Sequence, residues 1–270
     1  MTNDTAAEPV AAPRRRFLDV RSEGTGSQGS RVLGIVTLAG MGALLLFGLV
    51  LSPQDPGPNE MGQTVRIMYM HVPVAIIAFL AFGVTAFGSA MYLWRKTEFW
   101  DLLAAASAEV GVVFTALTLI TGSLWGRVAW GTWWEWDARL TSTALLLVLF
   151  LGYLALRRVI TDPQVRAKRC AIAGLIAFAD VPIVHYSVDW WRSLHQPATI
   201  TRFNPTIDGL ELFTLVLGMV VFALIYGWLM VHRFRLQYVQ ARLEDRGLEI
   251  ALQERRADAS SLVTSGGARS

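Results

Sequence analysis

The chain has 270 residues, of which 53% are hydrophobic and only 17% charged, and its mean hydropathy is +0.42. Soluble domains carry about 25% charged residues, so this composition excludes a water-soluble globule and a chain that is disordered throughout. The single cysteine, Cys170, excludes an intrachain disulfide and any CxxC or CxxCH motif. We therefore predict an integral membrane protein that is neither a thiol oxidoreductase of that kind nor a c-type cytochrome.

Six apolar stretches are long enough to cross a bilayer as helices, because about 20 residues span its hydrocarbon core. They are residues 32–51, 72–94, 102–125, 140–156, 170–188 and 210–231. We predict an all-α membrane bundle of six transmembrane helices. Residues 1–30 are polar, lack a signal cleavage site and are expected to be a disordered tail. Residues 233–270 are expected to begin as a helix and to end in disorder.

Lysine and arginine indicate the orientation, since short cytoplasmic loops are enriched in them. With the N-terminus inside, all but five of the 24 basic residues fall in the inner loops and tails. We therefore predict that both termini are cytoplasmic and that three loops, 52–70, 126–139 and 189–209, face outside. The five basic residues left outside are all arginines: Arg66, Arg127, Arg139, Arg192 and Arg202.

The second outer loop is rich in tryptophan. The twelve residues 125–136, which end the third span and begin this loop, hold Trp125, Trp130, Trp133, Trp134 and Trp136, followed directly by Asp137. Tryptophan is enriched at membrane interfaces, so an aromatic belt is one explanation. Trp130, Trp133 and Trp134 also have i, i+3, i+4 spacing, so they share one interfacial face if this stretch is helical. Such a face suits a flat, apolar ligand with a polar edge, and a porphyrin has this shape.

Three of the four histidines lie outside: His71, His185 and His195. His71 opens the second span just before Pro73, which fits a first helical turn, and His185 is near the outer end of the fifth span. The two lie at one membrane depth, and neutral imidazoles from two helices can hold a haem iron from both faces. A lone histidine at a helix end more often only hydrogen-bonds at the interface. We rank His195 third as a ligand because it lies in a loop, and we expect His232 to be solvated.

The outer arginines fit a haem ligand, because a guanidinium binds a propionate carboxylate through paired hydrogen bonds. Arg66 precedes His71 by five residues and Arg139 follows the last tryptophan by three, so we predict these two as propionate ligands. The other outer arginines remain candidates, and an interfacial anchor is the alternative for each. Two carboxylates, Glu109 and Asp180, lie within spans, where an acidic side chain is costly and usually functional.

Three segments resemble those of a known family, heme exporter protein C (CcmC) of bacterial cytochrome c maturation. Residues 130–141 (WGTWWEWDARLT) resemble its tryptophan-rich signature, the WWD domain of a wider haem-handling superfamily. Residues 66–73 (RIMYMHVP) and 182–196 (PIVHYSVDWWRSLHQ) resemble its first and third outer loops. The likeness covers about residues 32–235, in order, and excludes both terminal regions.

The resemblance implies that the protein binds haem b transiently at the periplasmic face of the inner membrane and presents it to the haem chaperone CcmE. Two outer-loop histidines are the axial ligands in this family, and they correspond to His71 and His185 here. The partners implied are CcmA, CcmB and CcmD, in which an ATPase drives release of the loaded chaperone. The chain has no GxxxxGK[ST] motif, so ATP hydrolysis is expected in a partner and the chain itself is not expected to be an enzyme.

Two other classes of protein stay open. A b-type cytochrome anchor of a quinone-linked oxidoreductase can also have six spans and two histidine ligands, although such ligands usually lie within the bilayer. A transporter of lipids or small molecules would use the tryptophans only as a belt. The haem-presenting interpretation places the porphyrin on the tryptophans, the iron between two histidines and the propionates on arginines.

Overall fold

The computed structural model describes residues 27–52, 63–191, 193–195 and 209–267, and all regular secondary structure within these residues is helical. Helix α1 (Gln28–Leu45) continues into a π-helical turn, Leu46–Leu51, and a 3₁₀ turn, Gln63–Ile67, leads into α2 (Met68–Arg95). The remaining helices are α3 (Glu98–Ala129), α4 (Ala138–Val159), α5 (Pro163–Phe178), α6 (Asp180–Trp190) and α7 (Gly209–Gly267).

Six helical units among the described residues are long and apolar enough to cross a membrane. They are α1 with its π-helical turn, α2, α3, α4, the α5–α6 pair and α7. Large apolar side chains such as Ile35, Leu38 and Val148 point outward from the bundle, where lipid tails solvate them as well as a protein core would. The prediction of an all-α, six-span membrane protein is confirmed.

Helix α2 packs on α3, α5 and α7 and so holds the bundle together. Its Phe82 stacks on Phe150 of α4 with ring centroids 3.7 Å apart, and both side chains are fully buried. Gly111 of α3 permits this packing, because a Cβ atom added there would lie 2.6 Å from Phe82 Cε1. The position of Phe82 in the core therefore requires glycine at position 111.

The first and last helices extend further than the sequence pattern indicated. Ser27 accepts a hydrogen bond from the Ser30 N–H and caps α1, so α1 begins inside the stretch assigned to the N-terminal tail. Helix α7 continues to Gly267, where disorder was expected, because residues 240–256 are mostly Ala, Leu, Glu, Gln and Arg, which favour a helix. Residues 1–26 and 268–270 of the two predicted tails lie outside the described residues.

The fifth span is broken at Ala179 into α5 and α6. Pro182 causes the break, since it has no N–H to donate to the carbonyl four residues earlier. Asp180 lies directly after the break and is 5% exposed, and its Oδ2 has no hydrogen-bond partner among the described residues. The other carboxylate predicted within a span, Glu109, is paired with Arg233.

The bundle has two chemically different ends. The end that carries residues 125–137, the start of α2 and the end of α6 is called the tryptophan end. The end that carries the α2–α3 and α4–α5 connections is called the basic end. At the basic end, ion pairs join the helices: Arg157 with Asp101 (2.6 Å), Arg166 with Glu244 (3.4 Å), Arg242 with Glu98 (3.1 Å) and Arg233 with Glu109.

Candidate functional site

The tryptophan-rich segment between α3 and α4 is a loop. Helix α3 ends at Ala129, and Gly131 has a φ of 78°, in the left-handed region that glycine enters without strain and that ends many helices. Residues 131–137 are non-helical. Trp130, Trp133 and Trp134 therefore do not share the helical face that their spacing indicated, because the glycine after Trp130 stops the helix.

The loop folds back onto the last turn of α3. The ring of Trp130 lies against Gly126, where a Cβ atom would be 3.1 Å from Trp130 Cε3 and 3.3 Å from the Thr132 carbonyl oxygen. Within the loop, Thr132 Oγ1 donates to the carbonyl of Trp134 at 2.9 Å. The positions of Trp130 and Trp134 are thus determined by contacts inside the connection itself.

The five tryptophans divide into an inner and an outer set. Trp125, Trp130 and Trp134 are partly buried, whereas Trp133 and Trp136 are 57% and 80% exposed. The Trp134 Nε1–H is buried without a hydrogen-bond partner among the described residues. An unpartnered buried N–H is costly, so this group is a donor available to a ligand.

Asp137 links α4 to the segment 193–195. Its Oδ1 accepts the Leu140 N–H at 2.8 Å, which caps α4, and its Oδ2 accepts Ser193 Oγ at 2.5 Å and His195 Nδ1 at 2.9 Å. Burial raises the pKa of the Asp137 carboxyl, but the hydrogen bonds from Ser193, Leu140 and His195 outweigh it and lower the pKa overall. Asp137 is therefore a carboxylate at neutral pH.

His195 is held as a neutral imidazole. Burial lowers the pKa of its ring more than the hydrogen bond with Asp137 raises it, so Nδ1 carries the hydrogen given to Asp137 and Nε2 carries a lone pair. The ring meets Trp130 edge-on, with centroids 4.8 Å apart. A carboxylate bound to one imidazole nitrogen is the arrangement that orients metal-ligating histidines.

We infer the same tautomer for His71 from its hydrogen bond with Thr121. His71 lies in the first turn of α2, with Nδ1 2.8 Å from Thr121 Oγ1. The Thr121 hydroxyl donates its one hydrogen to the Leu117 carbonyl at 2.8 Å, so Nδ1 of His71 is the donor and Nε2 keeps the lone pair. Gly122 leaves room for the ring, since a Cβ atom there would be 3.1 Å from His71 Cε1.

Arg139 connects the surroundings of the three histidines at this end. Its Nη2 donates to the His185 carbonyl at 3.1 Å, and its charge acts on both His71 and His195. The structure thus brings His71, His195 and Arg139 to one region beside Asp137 and Trp130.

His185, the second iron ligand predicted, lies on the outward face of α6. It is exposed, whereas Val184 and Ser187 on the same helix are buried. Its ring makes no hydrogen bond within the described part of the chain and meets Tyr186 edge-on at 4.8 Å. The pairing of His71 with His185 stays a prediction.

Arg66 joins the end of α1 to the start of α2. Its Nη1 donates to the Leu49 carbonyl at 2.5 Å and its Nη2 to the Ser52 carbonyl at 2.8 Å, and these carbonyls are among those that a helix end leaves without partners. Among the other outer arginines, Arg127 lies 6.0 Å from the Trp133 ring centroid. Arg192 and Arg202 lie outside the described residues.

Sequence reasoning missed the residues that support the histidines: Thr121, Gly122 and Ser193. It ranked His195 third as a ligand because His195 lies in a loop rather than on a helix. The contact between Asp137 and His195 joins residues 58 positions apart, and such a pair cannot be read from spacing. The one available signal was that both side chains belong to outer segments.

The comparisons with known proteins identify the family of this chain. Residues 21–249 match the family model of heme exporter protein C. Heme exporter protein C of Bradyrhizobium diazoefficiens is 38% identical over 220 residues, 81% of this chain and 83% of the relative. The protein of the same name from Haemophilus influenzae is 37% identical over 212 residues, 78% and 85% of the two chains. The Paracoccus denitrificans protein is 34% identical over 208 residues, 76% and 86%. The chain belongs to the heme exporter protein C family.

Proposed function

We propose that this protein binds haem at the tryptophan end and passes it on for cytochrome c maturation. One observation carries the proposal: His71 and His195 are both bonded through Nδ1, so each presents an unprotonated Nε2 at the same end of the bundle. Haem iron takes neutral imidazole as an axial ligand. The unpartnered Nε1–H of Trp134 adds a donor for the polar edge of the porphyrin, so the groups present fit this cargo.

His71 is the first axial ligand in this proposal, as the sequence indicated. For the second, the contacts favour His195 over His185, because the ring of His195 is backed by the Asp137 carboxylate and by Trp130. The ring of His185 has only an aromatic contact. We therefore assign the iron to His71 and His195 and keep the pair of His71 and His185 as the alternative that experiment decides.

The porphyrin rests on the tryptophans of the α3–α4 connection. Trp130 and Trp134 form the inner wall, the exposed rings of Trp133 and Trp136 the outer margin, and Trp125 the boundary with α3. Arg139 is the proposed propionate ligand because its positive charge lies near both His71 and His195. Arg66 was predicted for the same role; it supports the frame by holding the end of α1.

Transfer also requires that haem leaves the site at the tryptophan end. His195 lies on the short non-helical segment 193–195, and a ligand on a loop withdraws at lower cost than one on a packed helix. His71, by contrast, is held within α2. We propose that transfer begins with release of the His195 ligand, while His71 keeps the haem in place until the recipient has bound it.

The orientation proposed places the tryptophan end in the periplasm and the basic end in the cytoplasm of a bacterial inner membrane, in line with the positive-inside rule. The family resemblance supplies the partners: the recipient is the haem chaperone CcmE, and CcmA, CcmB and CcmD form the surrounding complex. ATP hydrolysis is assigned to a partner, since the sequence has no nucleotide-binding motif of the P-loop type.

The test is the absorbance spectrum of the full chain purified after co-expression with the chaperone. His71→Ala and His195→Ala are each expected to remove or shift the haem bands, because each takes away an axial ligand. His185→Ala is expected to keep them. His232→Ala at the basic end is the matched control, since it deletes an imidazole far from the site.

Loss of haem in His185→Ala with retention in His195→Ala would assign the second ligand to His185. Unchanged spectra in all variants would refute ligation by these histidines. A reversible redox titration coupled to quinol would favour a b-type cytochrome anchor, and no haem even with all partners present would favour a transporter of another molecule.

A further inference from the structure

A cavity of about 820 Å³ opens at the basic end between α3, α4 and α7. It is on the opposite end of the bundle from the proposed haem site. Its size falls within the range of small-molecule pockets. Nothing in the proposed haem transfer uses it.

The rim of this cavity is basic. It carries four arginines, three of which already form ion pairs: Arg157 with Asp101, Arg166 with Glu244 and Arg233 with Glu109. Arg158 is exposed and has no ion pair or hydrogen bond among the described residues. Four arginines thus face three carboxylates, and the uncompensated positive charge is that of Arg158.

The wall of the cavity is apolar and reaches into the membrane. It contains Val110, Val113 and Leu154, and Val113 lies fifteen residues after the start of α3, about 22 Å along the helix axis. Val113 is 54% exposed, so the cavity is open sideways at the depth of the lipid tails. A cationic rim above an apolar wall suits an amphiphile with an acidic head.

We propose that this cavity binds an anionic phospholipid. The phosphate lies at Arg158 and Arg166, because guanidinium groups bind phosphate through paired, charge-assisted hydrogen bonds, and an acyl chain lies along Val113. Basic pockets between transmembrane helices are known to hold anionic head groups in this way. The bound lipid fills the gap between α4 and α7, which makes the basic end sensitive to membrane composition.

Haem is also an anionic amphiphile, but the residues that line the cavity do not fit haem. None of the residues that line this cavity, all within the described part of the chain, is a histidine, cysteine, methionine or tyrosine. These are the side chains that hold haem iron in proteins. A phospholipid needs no such ligand, so it fits the residues present.

The experiment is native mass spectrometry of the full chain in detergent, titrated with phosphatidylglycerol or with phosphatidylcholine. The expected result is preferential retention of phosphatidylglycerol. Arg158→Gln is expected to weaken this binding about fivefold, which corresponds to about 1 kcal/mol for one arginine near the membrane surface. Arg169→Gln is the matched control, since Arg169 is exposed on α5 but does not line the cavity, and its effect should stay within twofold.

A second variant tests whether the apolar wall of the cavity binds the acyl chain. Val113→Trp fills the apolar side of the cavity and is expected to weaken phosphatidylglycerol binding, whereas Val148→Trp on the exposed face of α4 leaves it unchanged. Equal binding of phosphatidylcholine, or no effect of Arg158→Gln and Val113→Trp, would overturn the proposal. So would displacement of the lipid by haem or by a co-purified polypeptide. His71→Ala leaves this binding intact, which separates a failure here from a failure of the haem assignment.

Discussion

Replacing Asp137 by asparagine tests whether a carboxylate sets the tautomer of His195. Asp137 uses one oxygen to cap α4 and the other to accept from Ser193 and His195. Asparagine has one oxygen and one NH₂, so it can cap α4 or accept from His195 Nδ1, but not both. Because asparagine is as good an N-cap as aspartate, the helix is expected to keep its start and His195 to lose its acceptor.

The expected effect on haem binding is large. The bond from His195 goes to a carboxylate that is 7% exposed, and a hydrogen bond to a charged group contributes about 1.5–3 kcal/mol. Replacing a residue that orients a metal-ligating histidine typically weakens metal binding by about 10–100-fold. We therefore expect Asp137→Asn to raise the dissociation constant for haem by about 10–100-fold, with a smaller effect on the thermal midpoint of unfolding.

The assay is titration of the purified chain with haem, followed by absorbance. Asp162→Asn is the matched control, because Asp162 caps α5 through the Val165 N–H at 2.8 Å in the same way but lies at the basic end. His195→Ala sets the upper limit of the effect. If Asp137→Asn binds haem as tightly as the unchanged chain while His195→Ala does not, Asp137 does not hold the ligand and the reasoning fails.

Two glycines give further predictions. Gly122→Ala places a Cβ atom 3.1 Å from His71 Cε1 and is expected to displace the ring, weakening haem binding about fivefold in the same titration. Gly111→Ala places a Cβ atom 2.6 Å from Phe82 Cε1 and is expected to reduce the free energy of unfolding by about 1–3 kcal/mol, measured by thermal or chemical denaturation. Gly152→Ala, with no heavy atom within 4 Å, should be neutral or slightly stabilising. If all three variants lose the same free energy of unfolding, the cause is a change in helix flexibility and not the contacts with His71 and Phe82.

The number and order of the helices could be predicted because lipid imposes long, nearly continuous apolar runs. Helix ends were less predictable, because they depend on single capping groups and on propensity rather than on hydropathy. Ser27 moves the start of α1 into a polar stretch, and the polar continuation of α7 is helical through residue propensity. The break at Ala179 follows from Pro182, which has no N–H for the helical hydrogen bond.

The candidate site was predictable in composition but not in conformation. The tryptophans, Asp137, Arg139 and His71 stand out by residue type, yet the i, i+3, i+4 spacing suggested a helix that Gly131 ends. The role proposed for His195 rests on its hydrogen bond with Asp137 across 58 positions, which no local pattern encodes. The spacing of residues indicates which face of a helix they share, but it does not indicate which distant residue a loop side chain contacts.

Helix α7 is 59 residues long, roughly 88 Å at 1.5 Å per residue, about three times the thickness of a bilayer core. Near its middle it is braced by the pairs of Arg242 with Glu98 and Arg166 with Glu244. From Glu244 to Gly267 the helix is an arm of roughly 35 Å, and a tilt of about ten degrees about the brace moves its tip by roughly 6 Å. Beyond Glu244, no ion pair or hydrogen bond among the described residues joins this arm to another helix, so the two pairs mark where α7 leaves the bundle.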